Sequence, residues 1–180
     1  MTLNLIYFGI QIGIALAIGS VSLFADSTDY LEDAAINLLI LAGLKWPPRQ
    51  RAILGKIMAG IILLPSCAAL WMAWHKFHDP VEPQPLLLML GGAGAFAVNL
   101  TCAFLLSRFR HQGGSLTKAA FLSARNDALA NIAIIFGGGL TALTHSAWPD
   151  LVIGLIILAL NAGAAHEVFE AASGQEDAGQ

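Results

Sequence analysis

Apolar residues run along this chain in six long stretches, broken by short segments rich in proline, glycine and charge. A helix needs roughly 20 apolar residues to cross about 30 Å of hydrocarbon, and each stretch meets that length. The pattern predicts helices over 3–21, 25–44, 51–75, 85–107, 116–142 and 149–172. "KWPPRQR", "HKFHDPVEPQP", "RFRHQGG" and "THSAWPD" carry the punctuation expected of connections, while "AIGSVS" separates the first two stretches only weakly. The predicted fold is all-α: a polytopic membrane protein built as a six-transmembrane-helix bundle.

Composition agrees. Of the 180 residues 57% are hydrophobic and only 12% charged, against about a quarter charged in soluble domains. The net charge of -3 and the scattered basic residues leave no stripe for a nucleic acid. Cys67 and Cys102 each lie in an apolar run and read as small buried side chains, with no disulfide framework or CxxC site. The N-terminal stretch has no Lys or Arg before its apolar run, so it reads as a first spanning helix rather than a cleaved signal.

Seven of the nine basic residues, Lys45, Arg49, Arg51, Lys56, Arg108, Arg110 and Lys118, flank the second and fourth connections. The positive-inside rule then places those connections, and both termini, on the cytoplasmic side, giving an N-in/C-in arrangement. One transport-sized domain over 1–172 and a short polar cytoplasmic tail over 173–180 are expected. Trp46, Trp71, Trp74 and Trp148 fall near the predicted interfaces as anchors. The small residues of "GGAGAF" and "IIFGGGLTAL" favour close helix–helix contact.

Within the second stretch, "LFADSTDYLEDAAINLL" holds Asp26, Asp29, Glu32 and Asp33. An ionisable residue at membrane depth costs on the order of 2.5 kcal/mol or more and normally faces the bundle interior. At 100° per residue, Asp26, Asp29, Asp33 and Asn37 share one helix face, with Glu32 to its side. Ser123, Asp127 and Asn131 form a second stripe at i, i+4, i+8 in the fifth helix. Asp33 lies ~18 Å of helix from Lys45 and Asp127 ~14 Å from Lys118, so the stripes share a depth.

Acids converging in a dry bundle repel one another unless cations or protons neutralise them, which describes a cation site or a proton relay. Oxygen ligands suit hard or borderline divalent ions rather than copper(I). Asp26, near the expected helix start, reads as a cap or as an acid at the cavity mouth. Glu32 either pairs with Arg125, or Arg125 snorkels toward the cytoplasm. His75 and His78, beside Asp79 and Glu82, read as an interfacial loop in preference to a metal-collecting exit. Ser123 has no His partner on its helix face, so no nucleophile–base set is present and no enzyme is expected.

"SVSLFADSTDYLEDAAINLL" resembles the second-helix segment of the cation diffusion facilitators, and "SLTKAAFLSARNDALANIAIIFGG" resembles their fifth-helix segment. The resemblance spans essentially the whole chain. It implies a six-helix domain that exports divalent transition metals in exchange for protons, with no cofactor, as a homodimer in a bacterial inner membrane. It maps the metal ligands onto Asp29 and Asp33 in one helix and Asp127 in the other. Asp26, Asn37, Asn126 and Asn131 would stand behind them. Ser123 takes the place of a ligand that is usually His or Asp, so Ser123, Asn126, Asn131 or water would complete the site. The family's common soluble C-terminal domain is not expected in these 180 residues. Zn, Co, Cd, Mn, Fe and Ni all remain open as cargo. A non-transporting structural or regulatory membrane subunit is the rival reading.

Overall fold

The computed structural model describes residues 2–43, 47–107 and 114–161. They form six helices: α1 Thr2–Ile18, α2 Val21–Gly43, α3 Pro48–His78, α4 Pro85–Ser107, α5 Gly114–Thr144 and α6 Trp148–Asn161. No strand occurs among the described residues. The 173–180 tail, Trp46, His111 and His166 lie outside them.

Contacts give the helix directions. Asn4 and Gln11 of α1 meet Asp33 and Asp26 of α2 in reverse order, so these two helices are antiparallel. Gly92 lies against Ile134, Gly138 against Met89, and Gly137 against Ile153, so α4, α5 and α6 alternate likewise. The turns at 19–20, 79–84 and 145–147 therefore share one end, where Lys76, Gly19 and Asp150 meet. The N-terminal ends of α3 and α5, which carry Arg49, Arg51 and Lys118, belong to the opposite end.

The expected small-residue packing is present. A Cβ at Gly92 would stand 3.0 Å from the Ile134 side chain, and one at Gly138 would stand 2.5 Å from Met89. Tyr7 of α1 donates to the carbonyl of Gly91 at 2.9 Å and Tyr30 of α2 to that of Ala95 at 3.2 Å. Their rings pack with centroids 5.3 Å apart, so two aromatic side chains join α1 and α2 to one face of α4.

The first two helices are divided more sharply than "AIGSVS" implies. Gly19 takes φ +63 and Ser20 N–H reaches back to the carbonyl of Ala15, a Schellman ending that glycine supplies without a Cβ clash. Ser20 then caps α2, its hydroxyl accepting from Leu23 N–H at 3.1 Å. α2 thus starts at Val21, four residues before the expected 25. That corrects the cap reading of Asp26, which sits inside the helix, fully buried.

The bundle is apolar outside, and its apolar core of residues such as Leu23, Leu88 and Ile134 is shared with buried polar groups. Leu143, Phe136 and Leu160 are 80%, 71% and 67% exposed, whereas Gln11, Asn131 and Asp150 are wholly buried. A water-soluble monomer does not spread that much apolar surface; lipid accepts it. Two helical segments, Pro85–Leu105 and Ala124–Thr144, are long and apolar enough to cross a membrane, while Leu3–Ile18 and Trp148–Asn161 are apolar but shorter as described. Cys67 faces outward rather than being buried, and Cys102 is half-buried. A thiol packs as a small apolar group against lipid as well as against protein.

Candidate functional site

α2, α5 and α6 border a half-open cavity of about 260 Å³ lined by Asp29, Glu32, Asp33, Asn126, Asp127 and Asn161, with Ala130, Ile157 and the exposed Leu160 as apolar wall. Its acids on α2 lie ~12 to 18 Å along the helix from Val21, near mid-bundle. Three members of the two stripes expected from helical spacing line it together: Asp29 and Asp33 from α2 and Asp127 from α5.

Each acid has its own setting. Asp33 accepts a hydrogen bond from the Asn4 amide of α1 at 3.0 Å. Asp29 keeps one carboxylate oxygen, Oδ1, buried with no hydrogen-bond partner. The backbone carbonyl of Asp127 accepts the Asn131 amide at 2.8 Å. Asn131 is thereby turned onto its own helix, wholly buried, and does not line the cavity as its place in the stripe implied.

Asn126 does line the cavity, and its oxygen accepts from the exposed Arg125 at 3.3 Å. Glu32, placed off to the side by spacing, is also a wall residue, because a long side chain reaches around the helix. Asp26 is not in the wall: its carboxylate meets the Gln11 amide inside the α1–α2 contact, leaving Asp26 Oδ1 and Gln11 Oε1 unpartnered. The side chains of Ser123 and Asn37 lie outside the described residues.

The acids line walls rather than meet. Among the described residues, no three Asp, Glu, His or Cys side chains stand close enough around one point to hold an ion. The same holds for His75 and His78. Their rings pack on Trp71 and Trp74, with centroids 4.7 and 4.5 Å apart, one turn back along α3, so they belong to the last turn of that helix and not to the expected loop.

Spacing arguments missed two groups. One is the α1 face Asn4, Tyr7 and Gln11, legible as polar residues at i, i+3, i+7 in an apolar helix. The other lies at the far end of the bundle. There Asp150 of α6, wholly buried, accepts from Ser20 Oγ (2.6 Å), Ser22 Oγ (2.6 Å), Val21 N–H (2.9 Å), Ser22 N–H (3.2 Å) and Lys76 Nζ (2.7 Å). Lys76 also donates to the Gly19 carbonyl at 2.7 Å. The carboxylate stands at the N-termini of α2 and α6 and the ammonium at the C-termini of α1 and α3, so the charges match the helix dipoles.

An apolar-skinned helical bundle with carboxylates gathered on one cavity is the architecture of a membrane protein that handles cations. The family model of the cation efflux transmembrane domain matches residues 1–173, and the chain belongs to that family. Comparison with curated proteins gives no match. Membership makes it an integral membrane protein of a cation-transporting class, not an enzyme class, whose metal cation is cargo and which needs no cofactor.

Proposed function

We propose that this protein exports a divalent transition-metal ion in exchange for protons by alternating access, with Asp29, Asp33 and Asp127 as the ligands that capture the ion. One observation carries the reading: acids from α2 and α5, distant in sequence, line a single cavity of about 260 Å³. Gathered carboxylates stabilise a divalent cation and are destabilised without one, so protons must replace the ion when it leaves. Because the walls stand apart, capture draws α2 and α5 together around the ion. That inward movement is the conformational step that alternating access needs.

Arrival and release follow from the two ends of the bundle. The buried Asp150–Lys76 network ties α1, α2, α3 and α6 at one end, and the N-terminal ends of α3 and α5, with Arg49, Arg51 and Lys118, lie at the other. The proposed topology has six spans with the basic end in the cytoplasm and both termini inside, in a bacterial inner membrane. The ion enters from the basic end and protons from the other. Two copies would associate in the bilayer, as the family resemblance implies.

The test is metal uptake into proteoliposomes under a pH gradient, across Zn, Co, Cd, Mn, Fe and Ni, comparing wild type with Asp33→Ala and Asp127→Ala. The expected result is uptake of at least one ion by wild type and loss of a hundredfold or more in both variants. Uptake by none of the six would instead support a non-transporting subunit of the same fold. Equal uptake by the alanine variants would remove these acids from the ligand set.

A further inference from the structure

We infer that Asn161 of α6 is a ligand for the transported ion, presenting its side-chain carbonyl oxygen Oδ1 to the cavity; this rests on the reading of the cavity as the ion site.

The orientation of this amide follows from its partners. Asn161 is buried and lines the cavity with Asp29, Asp33 and Asp127. Its Nδ2 donates to the backbone carbonyl of Ala25 at 3.2 Å and to Thr28 Oγ1 at 3.0 Å. A backbone carbonyl only accepts, so the group facing Ala25 must be the nitrogen and not the oxygen. Thr28 donates its own hydroxyl proton to that same carbonyl at 2.7 Å, leaving its lone pairs for Asn161. Both amide protons are therefore spent on α2, and the part left to face the cavity is the oxygen.

The other neutral oxygens are less well placed. The Asn131 oxygen is buried without a hydrogen-bond partner, but Asn131 is not in the wall of the cavity, its nitrogen being turned onto the Asp127 carbonyl. The Asn126 oxygen already accepts from a guanidinium, whose positive charge opposes a cation on the same atom. An amide oxygen completes a site rich in carboxylates without adding to their repulsion, and it favours hard or borderline divalent ions. It also brings α6 into a site that family resemblance confines to α2 and α5.

Transport and equilibrium binding of Zn²⁺ and Mn²⁺ by the full chain test this with Asn161→Ala, Asn161→Asp and Thr28→Val. A ligand role predicts that N161A raises KM for both ions tenfold or more with kcat within about threefold. It also predicts that N161D binds at least as tightly as wild type, because a carboxylate oxygen replaces the amide oxygen. T28V should keep the wild-type Zn²⁺/Mn²⁺ preference.

A purely structural tie between α6 and α2 predicts the reverse. N161D, which cannot donate to Ala25, would then fail like N161A, and T28V would share part of the loss. That pattern, or wild-type KM in N161A, overturns the assignment while leaving the cavity reading intact, provided Asp127→Ala still abolishes binding. If wild type binds neither ion, both fall. Detergent-stable N161D is the safeguard should N161A fail to fold.

Discussion

At the scale of single residues, the two buried charges at the bundle end are unequal partners. Asp150 receives five donors, of which Lys76 is one, so Lys76→Met leaves a carboxylate still held by two hydroxyls and two backbone N–H groups. Asp150→Ala instead strands a buried ammonium and removes the acceptor of the first two N–H groups of α2, leaving only the Ser20 cap. Breaking a buried pair costs about 3–5 kcal/mol when an uncompensated charge remains, and losing a cap about 1 kcal/mol more. Asp150→Ala is thus expected to destabilise the protein by about 2 kcal/mol or more beyond Lys76→Met, read as denaturation midpoints in detergent. Equal losses would mean that the ion pair alone, and not the helix cap, holds this end. Asp29, Asp33 and Asp127 were legible in sequence because helical spacing places them on two narrow faces at one depth. Asp150 was not, since its partners lie 74 to 130 positions away and an Asp in the first turn of a helix is unremarkable by itself. Asp26 is no cap because α2 begins five residues earlier, where Ser20 and, from α6, Asp150 take its first N–H groups.

At the scale of helices, the approach of α6 to α2 depends on one missing side chain. A Cβ at Gly154 would stand 2.8 Å from the backbone nitrogen of Ser22 and 2.8 Å from the carbonyl carbon of Val21, atoms that cannot swing aside. The same close approach lets Asp150 reach the α2 N-terminus and, two turns further on, lets Asn161 reach Ala25. Gly154→Ala is therefore expected to cost 2 kcal/mol or more and to weaken metal binding, because overpacking pushes α6 away from the cavity. Gly139, with nothing within 4 Å of an added Cβ, is the control. Gly139→Ala should be neutral or stabilise by about 0.5–1 kcal/mol, the ordinary gain for alanine over glycine in a helix. Both are read by thermal unfolding in detergent, and similar effects at the two positions would show that close packing is not what Gly154 supplies. Apolar periodicity located the helix ends that the structure describes to within a few residues, the end of α6 lying outside the described residues. It placed the start of α2 late because "SVS" is polar, and only the arrival of Asp150 shows that those residues belong to the helix.

For the whole molecule, the question is how an apolar-skinned bundle sits in lipid, and the exterior offers a direct probe. Phe136 is 71% exposed on α5 and takes no part in the cavity. Phe136→Arg would be near neutral on a water-facing surface but should cost about 2.5–3.5 kcal/mol in hydrocarbon, visible as reduced membrane insertion. Orientation is a separate matter, decided by charge. The turn at 79–84 sits at the Lys76 end, away from the N-terminal ends of α3 and α5 with Arg49, Arg51 and Lys118, so the positive-inside rule puts it outside. Val81 in that turn is 64% exposed. A Val81→Cys variant, with Cys67 and Cys102 replaced by Ser, should react with a membrane-impermeant maleimide in intact cells. Labelling only after permeabilisation would invert the topology, and with it the direction of transport. The cavity would then fill from the opposite side, and the same acids, at the same depth, would describe an importer.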